Sequence, residues 1–580
     1  MKSLFYRLGS MIVLLVVLAL LFTSCSVFGS SDTTEDTDAI TSETETKAPV
    51  VYSDGLEFAL AEDGKSYALA GIGKCKERSI TVPDTYLGLP VTAVAAEAFA
   101  ADRNLREVIL PEGIETIGAG AFYDCESLWK IALPSTLKEI GASAFYQCLN
   151  LHALDLPRSL TSIGDRAFRD CRLLESITIP EAVVTLGEAS FCGCSSLVEV
   201  VLPKFLKEIP AWTFQDCAAL TGILLPEGLK TIGFGAFSYC SGMIEITFPS
   251  SIESIGEQAF IECSALTTVN FAAGLRSIGA DAFSSCSALR ECEIPGGTSI
   301  GEKAFSYCTA LTTVTIGDGT KEIGVSAFLG CTALSSVHLP STLTEIPSKL
   351  FWKCEALTSV QIPVSVSTIG SKAFSSCKKL QAVTVEGNLS FIGENAFDSC
   401  SALREMTVKG RIDAISAYAF LNCTALEALV IPKGSLEISA YAFSGCSSLR
   451  EISAKDGIKK IDAYAFQNCS KLQELGSLEG LTEIGERAFF SCTSLKSLVL
   501  PEGVTLIGSA AFFGCKSLAR ITLPSSLKKI DMYAFRSCSA LLEVKYSGTT
   551  AAWKSVVRGS NWKQDAPFSI VQCSNGDATV

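Results

Sequence analysis

The chain has 580 residues, 24 Cys, only 2 His and a net charge of -14 at pH 7. That acidity disfavours a nucleic-acid partner, whose phosphate backbone selects basic surfaces, and speaks chiefly for solubility. Length alone would suggest about four globular domains, but a 23-residue pattern recurs through most of the chain, which predicts one repeat array instead.

In chain order, the first segment stands apart from the repeat. Lys2 and Arg7 precede an apolar run from Met11 to Phe22, shorter than the roughly 20 residues of a spanning helix, and residues 1–24 read as an export signal. The run closes on Leu21-Phe22-Thr23-Ser24-Cys25, which resembles the bacterial lipoprotein box, with small residues before a Cys that is acylated and begins the mature chain. The resemblance implies lipid attachment at Cys25, although the family pattern prefers Leu three residues before the Cys, where this chain has Phe22. Ordinary cleavage with secretion, or an uncleaved anchor, are the alternatives. Residues 25–50 are rich in Ser, Thr and carboxylates, with too few apolar side chains to offset the entropy of ordering. They read as a disordered tether behind a membrane anchor.

Residues 51–84 predict an N-terminal cap, in which Leu56–Leu60 and Tyr67–Ala70 form a hairpin across Glu62–Lys65. The repeat array runs over residues 85–546, and Leu133 to Asp155 is a clear copy, LPSTLKEIGASAFYQCLNLHALD. Its Phe recurs twenty times from Phe99 to Phe535, always 23 residues apart except for 22 between Phe283 and Phe305, and the shortfall lies in Pro295-Gly296-Gly297. After each Cys comes an alternating segment such as Leu197-Val198-Glu199-Val200-Val201-Leu202-Pro203, which predicts a short strand stopped by Pro. The residue four before Phe is Gly in 13 of 20 units and Ser416, Ser439, Asp462 or Asp531 in others. These are N-cap types, and they predict a single helical turn over x-x-Ala-Phe-x-x-Cys that turns Phe and Cys inward. One coil buries too little by itself, so neighbours must complete its core. Residues 547–580 predict a C-terminal cap with a helical stretch at Trp553 and a final strand near Ser569–Val571.

The unit, the export signal and both end segments resemble the BspA-like leucine-rich repeat proteins of bacterial surfaces. The resemblance joins the reading of the residues in an α/β-type leucine-rich repeat solenoid of about 20 coils of 23 residues, with a parallel β-sheet on one face and short helical turns on the other. It further implies right-handed winding, display outside the cell and, for some members, adhesion to host extracellular proteins.

Nineteen Cys fall three residues after Phe, from Cys125 to Cys538. Equivalent side chains in stacked coils lie about 4.8 Å apart but point the same way, which disfavours disulfides, so they read as buried thiols in a small-apolar role. Cys292 holds an inward strand position. Cys75 and Cys573 sit in opposite caps, too far apart to join within one molecule, and each is a candidate free thiol or chain-to-chain link. Catalysis is not indicated: His152 opens a strand, His338 faces outward, and no phosphate loop, zinc spacing or nucleophile elbow occurs. No cofactor or metal is expected.

What remains is the outward side of the sheet, with Glu245, Thr268, Asn270, Glu291, Glu293, Thr315, His338, Gln361, Glu405 and Glu451 as the candidate ligand face. Carboxylates and hydroxyls dominate it, which suits a basic or polyvalent partner. A solvated sheet is the plainer reading, since Thr is simply a good strand former. The sequence thus predicts a monomeric, exported, membrane-tethered surface protein that binds an extracellular or host protein, the alternative being a passive surface-coat element.

Overall fold

The computed structural model describes residues 50–580. The export signal, Cys25 and all of the tether but Val50 lie outside the described residues. Tyr52–Val580 forms one unit, and within it the repeats stack as a solenoid.

Each coil contributes a short strand just after its Cys, and neighbouring strands pair in parallel. Ser176, Ile177 and Thr178 lie opposite Glu199, Val200 and Val201, one repeat apart. Alternation does the sorting: Ile177 and Val200 are buried while Ser176, Thr178, Glu199 and Val201 are exposed.

A second parallel ladder, which the sequence reading did not anticipate, runs along the segment that ends in Ile. Most of its strands have two residues, such as Thr231–Ile232 beside Ser254–Ile255. Its longest sheet has ten strands, from Glu345–Ile346 to Val557–Arg558. The short coil fits the register of both ladders. Glu291 pairs with Thr313 and Ser277 with Ser299, each 22 positions on, which confines the missing residue to the turn after Ile294.

The segment around Phe differs from expectation. The only α-helix among the described residues is Thr550–Ser555, and x-x-Ala-Phe-x-x-Cys is a run of turns. Its amides alternate between two destinations. Ile261 and Cys263 donate to Gln258 and Phe260 of their own coil, whereas Phe260 and Glu262 donate to Ala282 and Ser284 of the next coil. The alternation needs left-handed residues two before and two after Phe, with φ of 57° at Gln258 and 60° at Glu262. The bonds to the next coil bring the turn backbones of neighbouring coils into direct contact, with the Phe260 amide nitrogen 2.7 Å from the Ala282 carbonyl oxygen, closer than two helices about 10 Å across can stand.

The repeated Gly is likewise not an N-cap. A Cβ on Gly256 would lie 2.7 Å from the carbonyl carbon of Gly233, and one on Gly279 would lie 2.5 Å from the amide of Glu257. The glycine lets one coil's backbone touch the preceding one. Ser416, Ser439 and Asp462 instead follow second-ladder strands of three or four residues, Ile412–Ile415, Leu436–Ile438 and Ile458–Ile461.

Inside these ladders the twenty Phe rings form an uninterrupted stack of nineteen neighbouring pairs, with centroids 5.1–5.8 Å apart and planes within 23° of parallel. The widest step, Phe328 to Phe351, occurs where Leu350 replaces the Ala before Phe. At one end Glu57–Leu60 pairs antiparallel with Tyr67–Gly71, which in turn pairs with Leu89–Val94. At the other end Trp562 meets Phe535 edge-on at 6.1 Å, and Ile570–Cys573 folds back on Gly576–Thr579 after extending the sheet from Glu543–Tyr546.

Candidate functional site

The outward positions of the first ladder form two columns. Glu245 lies opposite Thr268, and Thr247 lies opposite Asn270, whose side-chain amide donates to the Thr247 hydroxyl at 3.0 Å. Glu291 faces Thr313 and Glu293 faces Thr315, and Thr315 faces His338. Eight of the candidate residues, Glu245 to Gln361, therefore occupy consecutive coils on one side. Glu405 and Glu451 lie farther along the same side and are engaged locally: Thr407 donates to Glu405 at 2.8 Å and Ser453 to Glu451 at 3.3 Å. Nine of the ten candidates are exposed, and Glu451 is half-buried.

Gln361 is held by Glu386, which accepts from its amide at 2.9 Å and from the Lys409 ammonium at 2.8 Å. Lys409, and after it Gln361, hold the Glu386 carboxyl below its ordinary range. The amide and hydroxyl of Ser341 do the same for Asp318 beside His338. By contrast Glu291 and Glu293 have no ion-pair partner among the described residues, which leaves two adjacent carboxylates free to meet cations.

The sheet side carries a feature beyond its outward columns. The first ladder is divided into six separate sheets, and shallow recesses straddle four of the five divisions. One lies between Thr268, Asn270 and Glu291, Glu293. A second joins Asp318, His338, Gln361 and Glu386. A third is lined by Gly222, Leu224, Glu245 and Thr247, and a fourth by Glu474, Gly476, Ser497 and Val499. Two divisions have a sequence signal, since Gly222 and Gly476 stand at outward strand positions, and Gly weakens a strand. The same places expose apolar side chains outside the candidate set, Leu224 at 87% and Val499 at 67%.

The two His residues lie in different coils, His338 in the recess with Asp318 and Gln361. His152 is exposed in a coil without a first-ladder strand, and among the described residues no group of three His, Cys, Asp or Glu side chains is placed to hold a metal ion.

The Cys column is buried and unpaired throughout. Each of its nineteen thiols donates to the carbonyl of the Phe one coil back, at 3.0–3.3 Å. Cys263, for example, reaches Phe237 at 3.2 Å, and burial pushes its thiol up to about 12. The column is thus more than small-apolar filling, because it also hydrogen-bonds each coil to its neighbour. Cys292 is buried on its strand, and Cys75 and Cys573 are half-buried in their caps.

No curated protein matches the chain. Among solved structures, it is similar to a leucine-rich repeat protein from Bacteroides ovatus, at 24% identity over 79% of this chain and 95% of that one, with a TM-score of 0.44. It is also similar to a leucine rich cell surface protein from Faecalibacterium prausnitzii, at 27% identity over 63% and 96% of the two chains, with a TM-score of 0.39. The model of the "BspA type Leucine rich repeat region (6 copies)" matches residues 92–221, 171–290, 207–319, 298–427 and 413–542. With the 23-residue unit, the paired ladders and that match together, the chain belongs to the BspA-type leucine-rich repeat family.

Proposed function

We propose that this protein is an exported surface protein, tethered to a membrane by a lipid on Cys25, that binds an extracellular or host protein through the sheet side of its solenoid. The observation that carries the reading is the shared exposure of Glu245, Thr268, Asn270, Glu291, Glu293, Thr315, His338 and Gln361 in adjoining coils. Carboxylates without cationic partners at Glu291 and Glu293 favour a basic surface on that partner. Repetition multiplies weak contacts, and linked contacts gain through effective concentration. The protein acts as a monomer, and its role is binding rather than turnover.

Residues 51–580, presented to immobilised matrix proteins, mucins and glycans, test the reading. Saturable binding that is lost in the Glu291→Ala, Glu293→Ala, His338→Ala variant supports it. Absence of any partner, with cell attachment unchanged in that variant, favours a passive coat instead. Cys25→Ala should release the protein from membranes, and continued retention would refute the lipid anchor.

A further inference from the structure

The turn side of two adjoining coils reverses the charge of the rest of the chain. Residues 346–385 contain five Lys and one Glu in a protein whose net charge is -14. Three of these lysines converge on one half-buried ring: the ammonium groups of Lys349, Lys353 and Lys372 lie 5.7, 5.1 and 5.5 Å from the centroid of Trp352. The acid within this stretch, Glu355, is engaged by Lys378 at 2.8 Å, and none of the three converging lysines makes an ion pair among the described residues. All three also stand at left-handed positions, with φ of 58°, 63° and 56°, a conformation that favours Gly, Asn and Asp over long side chains.

Like charges gathered around one ring repel, and the attraction of each ammonium to the aromatic face offsets this only in part. A multivalent anion removes the repulsion by pairing with several ammonium groups at once. The three charges fall within the reach of one disaccharide, and the ring they surround supplies an apolar plane for a sugar. The half-buried Ser348 stands beside Lys349 in the first of these coils.

We propose that Trp352, Lys349, Lys353 and Lys372 form a binding site for an anionic polysaccharide, its sulfate or carboxylate groups paired with the lysines and a sugar ring set against Trp352. The site lies on the turn side, away from the sheet residues, and stands independently of any protein partner there. A long polyphosphate fits less well, because the positive area ends after two coils and the chain beyond it is acidic.

The test is retention of the full chain on immobilised dextran sulfate and polygalacturonate, with neutral dextran as the blank. Wild-type protein should be retained on both polyanions at low salt, released as salt rises, and pass through neutral dextran. Lys349→Gln, Lys353→Gln and Lys372→Gln together should weaken retention at least tenfold, whereas removing three lysines elsewhere, by Lys455→Gln, Lys459→Gln and Lys516→Gln, should change it less than twofold. Trp352→Ala should weaken both glycans at least threefold and leave binding of inorganic polyphosphate unchanged. Equal loss in the two lysine triples would overturn the proposal. So would an unaltered Trp352→Ala, or better competition by phosphatidylserine vesicles or single-stranded DNA than by free dextran sulfate.

Discussion

The turn side and the sheet side of the same coils are held together very differently. On the turn side nothing interrupts the stack: Phe rings, thiol bonds and alternate amides join every coil to its neighbours from Phe99 to Phe535. On the sheet side the ladder is divided into six parts. Identical spacing is compulsory where rings and backbones touch. It is optional where side chains face water. A solenoid built this way keeps its order on one side and leaves the other free to vary in composition.

Four measurements would break or sharpen this contrast. The largest effect should come from alkali, because all nineteen column thiols respond in the same direction. Well below pH 9, the ordinary thiol value, the column thiols stay protonated in both the folded and the unfolded chain, and their full contribution to stability is present. Between there and about 12, the folded value of Cys263, the unfolded chain releases protons that the stacked chain retains, so stability falls as pH rises. Circular dichroism should show the denaturant midpoint dropping steeply above pH 9, and a flat midpoint to pH 11 would contradict a buried thiol column. Next, Phe260→Ala should cost about 3–5 kcal/mol, with lost amide protection confined to the adjoining coils. Loss spread evenly along the array would show that coils are not coupled through nearest neighbours. Gly256→Ala, which places a methyl against the preceding backbone, should cost about 1–3 kcal/mol. The smallest change belongs to the sheet side: Glu291→Ala with Glu293→Ala should alter stability by no more than about 0.5 kcal/mol, and a larger loss in chemical denaturation would mean that this side also holds the fold.

The features legible in the sequence were those that repeat with chemical identity. Phe145 has a counterpart in all twenty units and Cys148 in nineteen of them, and Pro295-Gly296-Gly297 located the short coil correctly. Alternation around Val200 gave the outward columns. The second ladder was hidden because two residues, as in Thr231–Ile232, are too few to show a period of two. Phe and Cys three apart suit a helix or a run of turns equally, and the amide bonds from each turn to the next coil, which decide between them, are invisible in one unit's sequence. Divisions in the sheet left a trace at Gly222 and Gly476, but those beside Thr268–Asn270 and Ser336–His338 depend on how neighbouring coils are seated, which no single coil encodes. The Trp352 cluster was missed because its lysines are separated in sequence and meet only when two coils stack.

Residue-resolved hydrogen exchange tests the central contrast most directly. The amides of Phe260 and Cys263, bonded to Ala282 and Phe260, should exchange among the slowest in the chain. Those of Ser497 and Val499, whose strand is not paired with Glu474–Leu475, should exchange at least a hundredfold faster. Equal protection on the two sides, or faster exchange at Phe260 than at Val499, would contradict the claim that the turn side carries the order of the array.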